Sequence, residues 1–157
     1  MTSLFVRNLF FTILQPGVVT ILLPFLILRT SDRGSIPDSL GWPQWIGAAT
    51  VFVGVSIMAS CIIRFATEGK GTISPLDPTK KLVLKGLYRY SRNPMYVGAM
   101  LLLVGEATFW MSALVALYAA VVFLAFNLFI ILHEEPRLRR EFASEYESYL
   151  GSVRRWL

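Results

Sequence analysis

The chain has 157 residues, of which 55% are hydrophobic and only 16% charged, with a formal net charge of +5. Soluble domains carry roughly 45–50% apolar and about 25% charged residues, so this balance, with a mean hydropathy of +0.58, excludes an ordinary soluble domain. The positive excess lies between apolar stretches, where the preference of cytoplasmic loops for Lys and Arg accounts for it, and nucleic acid is left out of the expected partners.

Three windows, residues 8–28, 39–63 and 107–133, contain no Asp, Glu, Lys or Arg. Each reaches the ~20 residues that cross a bilayer as a helix. The first predicts a helix from about Asn8 to Leu28, kinked by Pro16-Gly17 and Pro24, because each proline removes a backbone donor. Its apolar run exceeds the ~7–15 residues of a signal-peptide core and no small-residue cleavage site follows, so it reads as a span. Residues 29–43, with Gly34, Pro37, Gly41 and Pro43, form a turn-rich connector. A second helix is expected from Gln44 to Arg64. It holds Cys61, the one cysteine, whose place in an apolar window points to core packing and rules out an internal disulfide.

Residues 65–93 are polar and interrupted by Gly69, Gly71, Pro75 and Pro78, which predicts a structured loop. From Pro94 to Leu132 the chain is apolar again, too long for one crossing and about right for two helices at 1.5 Å per residue across ~30 Å. The connecting turn falls near Trp110–Ser112, with Trp110 as an interfacial anchor. Glu106, about one turn from that end, reads as a snorkelling or capping carboxylate, the alternative being a polar contact inside the bundle. After Pro136, the spacing of Leu138, Phe142, Tyr146, Tyr149 and Leu150 predicts an amphipathic helix.

The fold class is therefore an all-α integral membrane protein with about four transmembrane helices, a structured cytoplasmic loop and a C-terminal amphipathic helix. With four spans, both termini and the loop share one face, which carries 13 of the 15 basic residues. That asymmetry places them in the cytoplasm.

Two polar clusters bracket the predicted hairpin: Gly86–Gly98, reading GLYRYSRNPMYVG, and His133-Glu134-Glu135-Pro136-Arg137. A hairpin returns both to one membrane face. Such a gathering of Arg92, Glu134, Glu135 and the tyrosines 88, 90 and 96 reads either as a belt of interfacial anchors and ion pairs or as one site. No second His or Cys lies within ligand spacing of His133, so no metal is expected. His133 itself reads as an ion-pair partner or as a base toward an amine or phenol.

The order G-x-Y-x-Y-x-R-N-P-x-Y-x-G, hairpin, then E-E-x-x-L-x-x-x-F-x-x-x-Y-x-x-Y resembles the isoprenylcysteine carboxyl methyltransferase family and its bacterial membrane relatives. It is similar, more distantly, to the phospholipid methyltransferases. The matching part covers roughly Gly71 to Leu157. Helices one and two match only as generic spans, so the chain reads as one domain over 1–157, with two N-terminal spans in 1–66 and a cofactor-binding core, implied by the resemblance, in 67–157. The resemblance implies S-adenosylmethionine as cofactor, S-adenosylhomocysteine as product, and a lipophilic or membrane-embedded acceptor met among membrane lipids at the cytoplasmic face. By position, cofactor contacts fall on Lys80, Lys81, Leu82, Val83, Tyr88, Asn93, Pro94, Met95, Tyr96 and Glu134. Arg92, Glu134 and Glu135 are the catalytic candidates, and His133, Arg154 and Arg155 the substrate-side ones.

Two departures matter. Asn93 stands where eukaryotic members usually have a histidine, and Asn cannot titrate. The substrate-side arginine of those enzymes falls on Ile130, which speaks against a prenylcysteine carboxylate as acceptor. A nicotinamide-dependent membrane reductase of similar C-terminal architecture and a non-enzymatic helical membrane protein are the competing classes.

Overall fold

A computed structural model describes residues 16–31, 39–64, 67–68 and 82–156, and among these the secondary structure is helical throughout. The expected first half of helix one and most of the loop before Leu82 lie outside the described residues.

Helix α1 (Leu23–Thr30) continues a π turn, Val18–Leu22, closed by the bond from Leu23 N to Val18 O. Pro24 explains this turn. It lacks the N–H that the Val19 carbonyl would take five residues on, so the ladder widens just ahead of the ring. The freed carbonyl is not wasted, because the Tyr118 hydroxyl donates to Val19 O at 2.9 Å. A neighbouring helix thus restores what proline removed.

Helix α2 (Trp42–Arg64) and helix α3 (Pro94–Phe109) make the most extensive contact between elements. The cause is four glycines. A Cβ on Gly47 would stand 2.6 Å from Phe109 N, and one on Gly54 2.8 Å from Gly98 O; on Gly105 it would meet Gly47 O at 2.8 Å. Backbones can approach this closely only where side chains are absent, as small residues allow between membrane helices. Buried Gln44 pins the far end, its Nε2 donating to Phe109 O at 3.0 Å.

Helix α3 ends where the sequence predicts. Met111 takes φ 47° and the Ser112 hydroxyl accepts from Val115 N at 3.3 Å, capping helix α4 (Ala113–Phe129). The hairpin closes on Leu103, Ala119 and Val122, with Val19, Met100, Tyr118 and Phe126 packed against them.

One expectation changes form. The chain does not break between the second hairpin helix and the C-terminal helix: α4 passes through a π turn, Ile130–Glu134, straight into helix α5 (Glu135–Ser152). Pro136 follows the bond from Glu135 N to Ile130 O, as Pro24 follows its own π turn. Helix α5 bends instead at Ala143, whose φ of 41° and ψ of −117° interrupt it. Tyr146 and Tyr149 are buried and Phe142 half-buried, whereas Arg139, Arg140, Glu141, Glu145 and Glu147 are exposed.

Trp42–Arg64 and Ala113–Ser152 are long and apolar enough to cross a membrane, and in each only 22% of the most apolar 18-residue window is buried. Trp42, Phe52 and Leu124 are 75%, 72% and 63% exposed. Apolar surface of this extent needs an apolar surrounding. Val18–Thr30 and Pro94–Phe109 are apolar but shorter.

Candidate functional site

The site begins at a corner. Gly86, at φ +63°, opens a 3-10 turn (Gly86–Arg89), and a Cβ there would collide with the Arg64 guanidinium folded over it. Tyr88 packs from this turn onto Cys61 and Val83, and the Tyr149 hydroxyl donates to Tyr88 O at 2.6 Å. Burial first, then the Cys61 thiol and the Glu134 carboxylate, push the Tyr88 hydroxyl well above its ordinary pKa, so it stays protonated. Pro94 then occupies the first turn of α3, where its missing N–H costs nothing.

From the other side comes Glu134, beyond the last apolar residue of α4. Its Oε2 accepts from the Tyr96 hydroxyl at 2.9 Å, joining the two sequence clusters directly. Burial raises the Glu134 pKa, while the Tyr96 bond and the nearby Arg137 oppose that rise. The adjacent Glu135 faces elsewhere. It accepts from two nitrogens of Arg155, Nε at 2.8 Å and Nη2 at 3.1 Å, and lies 3.3 Å from Arg92 Nη1.

After the bend at Ala143 the chain returns to this corner. The Arg154 carbonyl accepts from Arg92 N and the Arg155 carbonyl from Asn93 Nδ2, both at 2.9 Å. Trp156 anchors the segment, donating from Nε1 to Asn127 Oδ1 at 3.1 Å and packing its ring 5.1 Å from Phe123.

Between these elements lies a cavity of about 470 Å³. Tyr88, Arg92, Asn93, Tyr96 and Glu134 line its polar end, and Val19, Met58, Met95, Ala99, Phe126 and Phe129 its apolar part. Pro16 and Thr20 of the first helical segment complete the wall. The volume falls in the ~300–1,000 Å³ range of small-molecule sites, and the mixed lining is typical of them.

The structure thus brings Tyr88, Arg92, Asn93, Met95, Tyr96 and Glu134 together around one space. Pro94 is buried beside it, and Val83 lies in the packing beneath Tyr88; Leu82 is half-buried and does not line the cavity. Lys80 and Lys81 lie outside the described residues. His133 is exposed and stacks on Phe129 at 5.6 Å. Arg154 is exposed, and the Arg155 side chain is committed to Glu135. Sequence reasoning passed over Phe126, whose ring lies 4.7 Å from that of Tyr96. Stepping back eight residues from Glu134, about two helical turns, reaches it on the same face.

The sequence profile of the phospholipid methyltransferase family matches residues 42–145, about two thirds of the chain. The chain therefore belongs to this family of membrane methyltransferases, which includes the isoprenylcysteine carboxyl methyltransferase-like enzymes. Comparison with curated proteins and with solved structures returned no match. Membership favours methyl transfer in a membrane setting over the reductase class.

Proposed function

We propose that the protein transfers a methyl group from S-adenosylmethionine to a lipid-like acceptor, in the cavity where α3 begins and α4 ends. The observation that carries this reading is the Tyr96–Glu134 hydrogen bond on the wall of that cavity, since it unites the two halves of the family motif.

The residues present suit the cofactor. Glu134 offers a carboxylate to its ammonium or ribose hydroxyls, and the first-turn amides of α3 at Met95 and Tyr96, which helix geometry leaves without intrahelical acceptors, suit its carboxylate. The rings of Tyr96 and Phe126 provide faces for a sulfonium, a contact worth ~0.5–2 kcal/mol. Bound there, the cofactor supplies an electrophilic methyl group on a sulfonium. The protein's part is positioning and exclusion of water: Phe126, Phe129, Met58 and Ala99 keep the reacting centre dry, and the Tyr96 bond fixes the direction of the Glu134 carboxylate. No nucleophilic side chain is needed.

Chain topology supports access for both substrates. In our reading Val18–Thr30 and Pro94–Phe109 complete a four-span bundle with both termini cytoplasmic, and helix α5 lies along that face. The polar cofactor then approaches from the cytoplasm and the acceptor from the bilayer, between the first helical segment and the hairpin, where Val19 and Phe126 line the cavity. Ile130, fully buried, leaves no cation at the position that serves a prenylcysteine carboxylate in the resembling enzymes. A phospholipid or another lipophilic acceptor fits better.

The test is methyl transfer from labelled cofactor onto total lipid extract, prenylated thiol acids and small water-soluble acceptors in parallel. The reading expects label in the lipid extract. Turnover confined to a soluble acceptor would contradict access from the bilayer, and absence of transfer to every pool would contradict the activity.

A further inference from the structure

Three charged side chains meet beside the cavity, and they share their contacts unevenly. Glu135 is 13% exposed and receives a bidentate pair of hydrogen bonds from Arg155, at 2.8 and 3.1 Å. Arg92, also 13% exposed, approaches the same Oε1 only to 3.3 Å, without hydrogen-bond geometry. Its Nε and Nη1 are buried and have no hydrogen-bond partner among the described residues, while the guanidinium also faces the Tyr146 hydroxyl. Unlike Glu135 and Arg155, Arg92 lines the cavity.

A buried guanidinium with unspent donors is costly, because the donors have given up water without replacement. Such a cost is tolerated where a ligand supplies the missing acceptors. Glu135 would be the natural internal acceptor, but the planar fork of Arg155 already covers both of its oxygens. We propose that Arg92 is an oxyanion anchor for the ligand in the cavity, and that Arg155 is the positioning residue that keeps it available by occupying Glu135. This rests on the reading of the cavity as a cofactor and acceptor site. The oxyanion is a carboxylate, as on the aminoacyl part of the cofactor, or a phosphate, as on a lipid head group; both match a guanidinium fork.

The arrangement has a consequence that simple packing does not share. Removing Arg155 leaves Glu135 without its main partner, and Arg92 then turns onto it and leaves the cavity. Removing the Glu135 charge as well releases Arg92 again. Arg155→Ala should therefore weaken ligand binding, and the double substitution Arg155→Ala with Glu135→Gln should restore it, although more native contacts have been lost.

The experiment is calorimetry of the full-length detergent-purified protein with S-adenosylhomocysteine and its decarboxylated form, alongside KM for phospholipid in mixed micelles and the thermal midpoint of each variant. If the oxyanion is the cofactor carboxylate, Arg155→Ala loses about tenfold or more in S-adenosylhomocysteine affinity. The double variant then recovers most of it, and the decarboxylated ligand is indifferent to both changes. If it is a lipid phosphate, the same loss and rescue fall on KM for phospholipid while S-adenosylhomocysteine affinity stays constant. Arg155→Lys, which keeps one bond to Glu135, should lie between Arg155→Ala and wild type. A double variant no better than Arg155→Ala in both assays, or an Arg155→Ala protein that binds both ligands as wild type does, overturns the proposal. Failure of the wild type itself to bind S-adenosylhomocysteine would instead count against the cofactor reading.

Discussion

Tyr96 and Glu134 stand 38 positions apart in the chain and 2.9 Å apart in space. The hairpin of α3 and α4 brings them together, and the contact decides what each can do. Tyr96 holds one carboxylate oxygen with a single donor, so the other remains for a ligand. Tyr96→Phe keeps the ring beside Phe126 and deletes that donor. A hydrogen bond to a charged group is worth ~1.5–3 kcal/mol, so the substitution should lower both the thermal midpoint and the affinity for S-adenosylhomocysteine. Calorimetry and a melting curve on the same preparation check this, and a variant indistinguishable from wild type in both would show the bond to be incidental.

The glycine contact between α2 and α3 makes a sharper structural prediction. At Gly47 a Cβ meets the backbone of Phe109 and Gly105 at 2.6–2.8 Å, whereas at Gly151 nothing lies within 4 Å. Gly47→Ala should therefore destabilise by ~1–3 kcal/mol as overpacked sites do. Gly151→Ala, in a helix, should be neutral or stabilise by up to ~1 kcal/mol. Thermal unfolding in detergent separates them; equal midpoints would mean the helices can part at no cost.

Tyr118 serves the carbonyl that Pro24 leaves without a donor. Tyr118→Phe should cost ~1–3 kcal/mol by orphaning it, and Tyr118→Phe combined with Pro24→Ala should cost less than the sum, because alanine returns an N–H to the ladder. Additive losses in the melting series would contradict the pairing.

Topology follows from the placement of basic residues. Reporter fusions after Leu157 and within residues 32–38 should report opposite faces of the membrane. The same face for both would remove the four-span arrangement and the cytoplasmic route for the cofactor.

The parts of this architecture written in local pattern were legible in the sequence. The Trp110–Ser112 turn, the apolar stretches and the meeting of the two polar clusters, though not the particular pair Tyr96–Glu134, follow from hydropathy and motif order. Other features carry no local signal. Pro24 announced a kink and Pro136 a helix start, but the π turns ahead of them depend on which neighbour covers the freed carbonyl. The bend at Ala143 is invisible because alanine is the best helix former, so only tertiary packing places a break there. Arg155 read as a substrate-side cation at the end of a helix, and Trp156 carried no motif. Their partners Glu135 and Asn127 lie 20 and 29 positions away, a distance no periodicity reports. For the same reason Glu135, adjacent to Glu134 in sequence, looked equivalent to it, yet consecutive helical residues point about 100° apart.

The proposed activity requires the cavity bounded by Arg92, Tyr96 and Glu134 to hold the methyl donor. Titration of S-adenosylhomocysteine into wild-type protein and into Glu134→Gln tests it most directly, since the substitution removes the charge and keeps the shape. Wild-type protein should bind saturably, and the folded variant should lose about 10- to 150-fold in affinity, the value of ~1.5–3 kcal/mol for a charge-assisted hydrogen bond. Equal affinity in a Glu134→Gln protein that melts as the wild type does would contradict it.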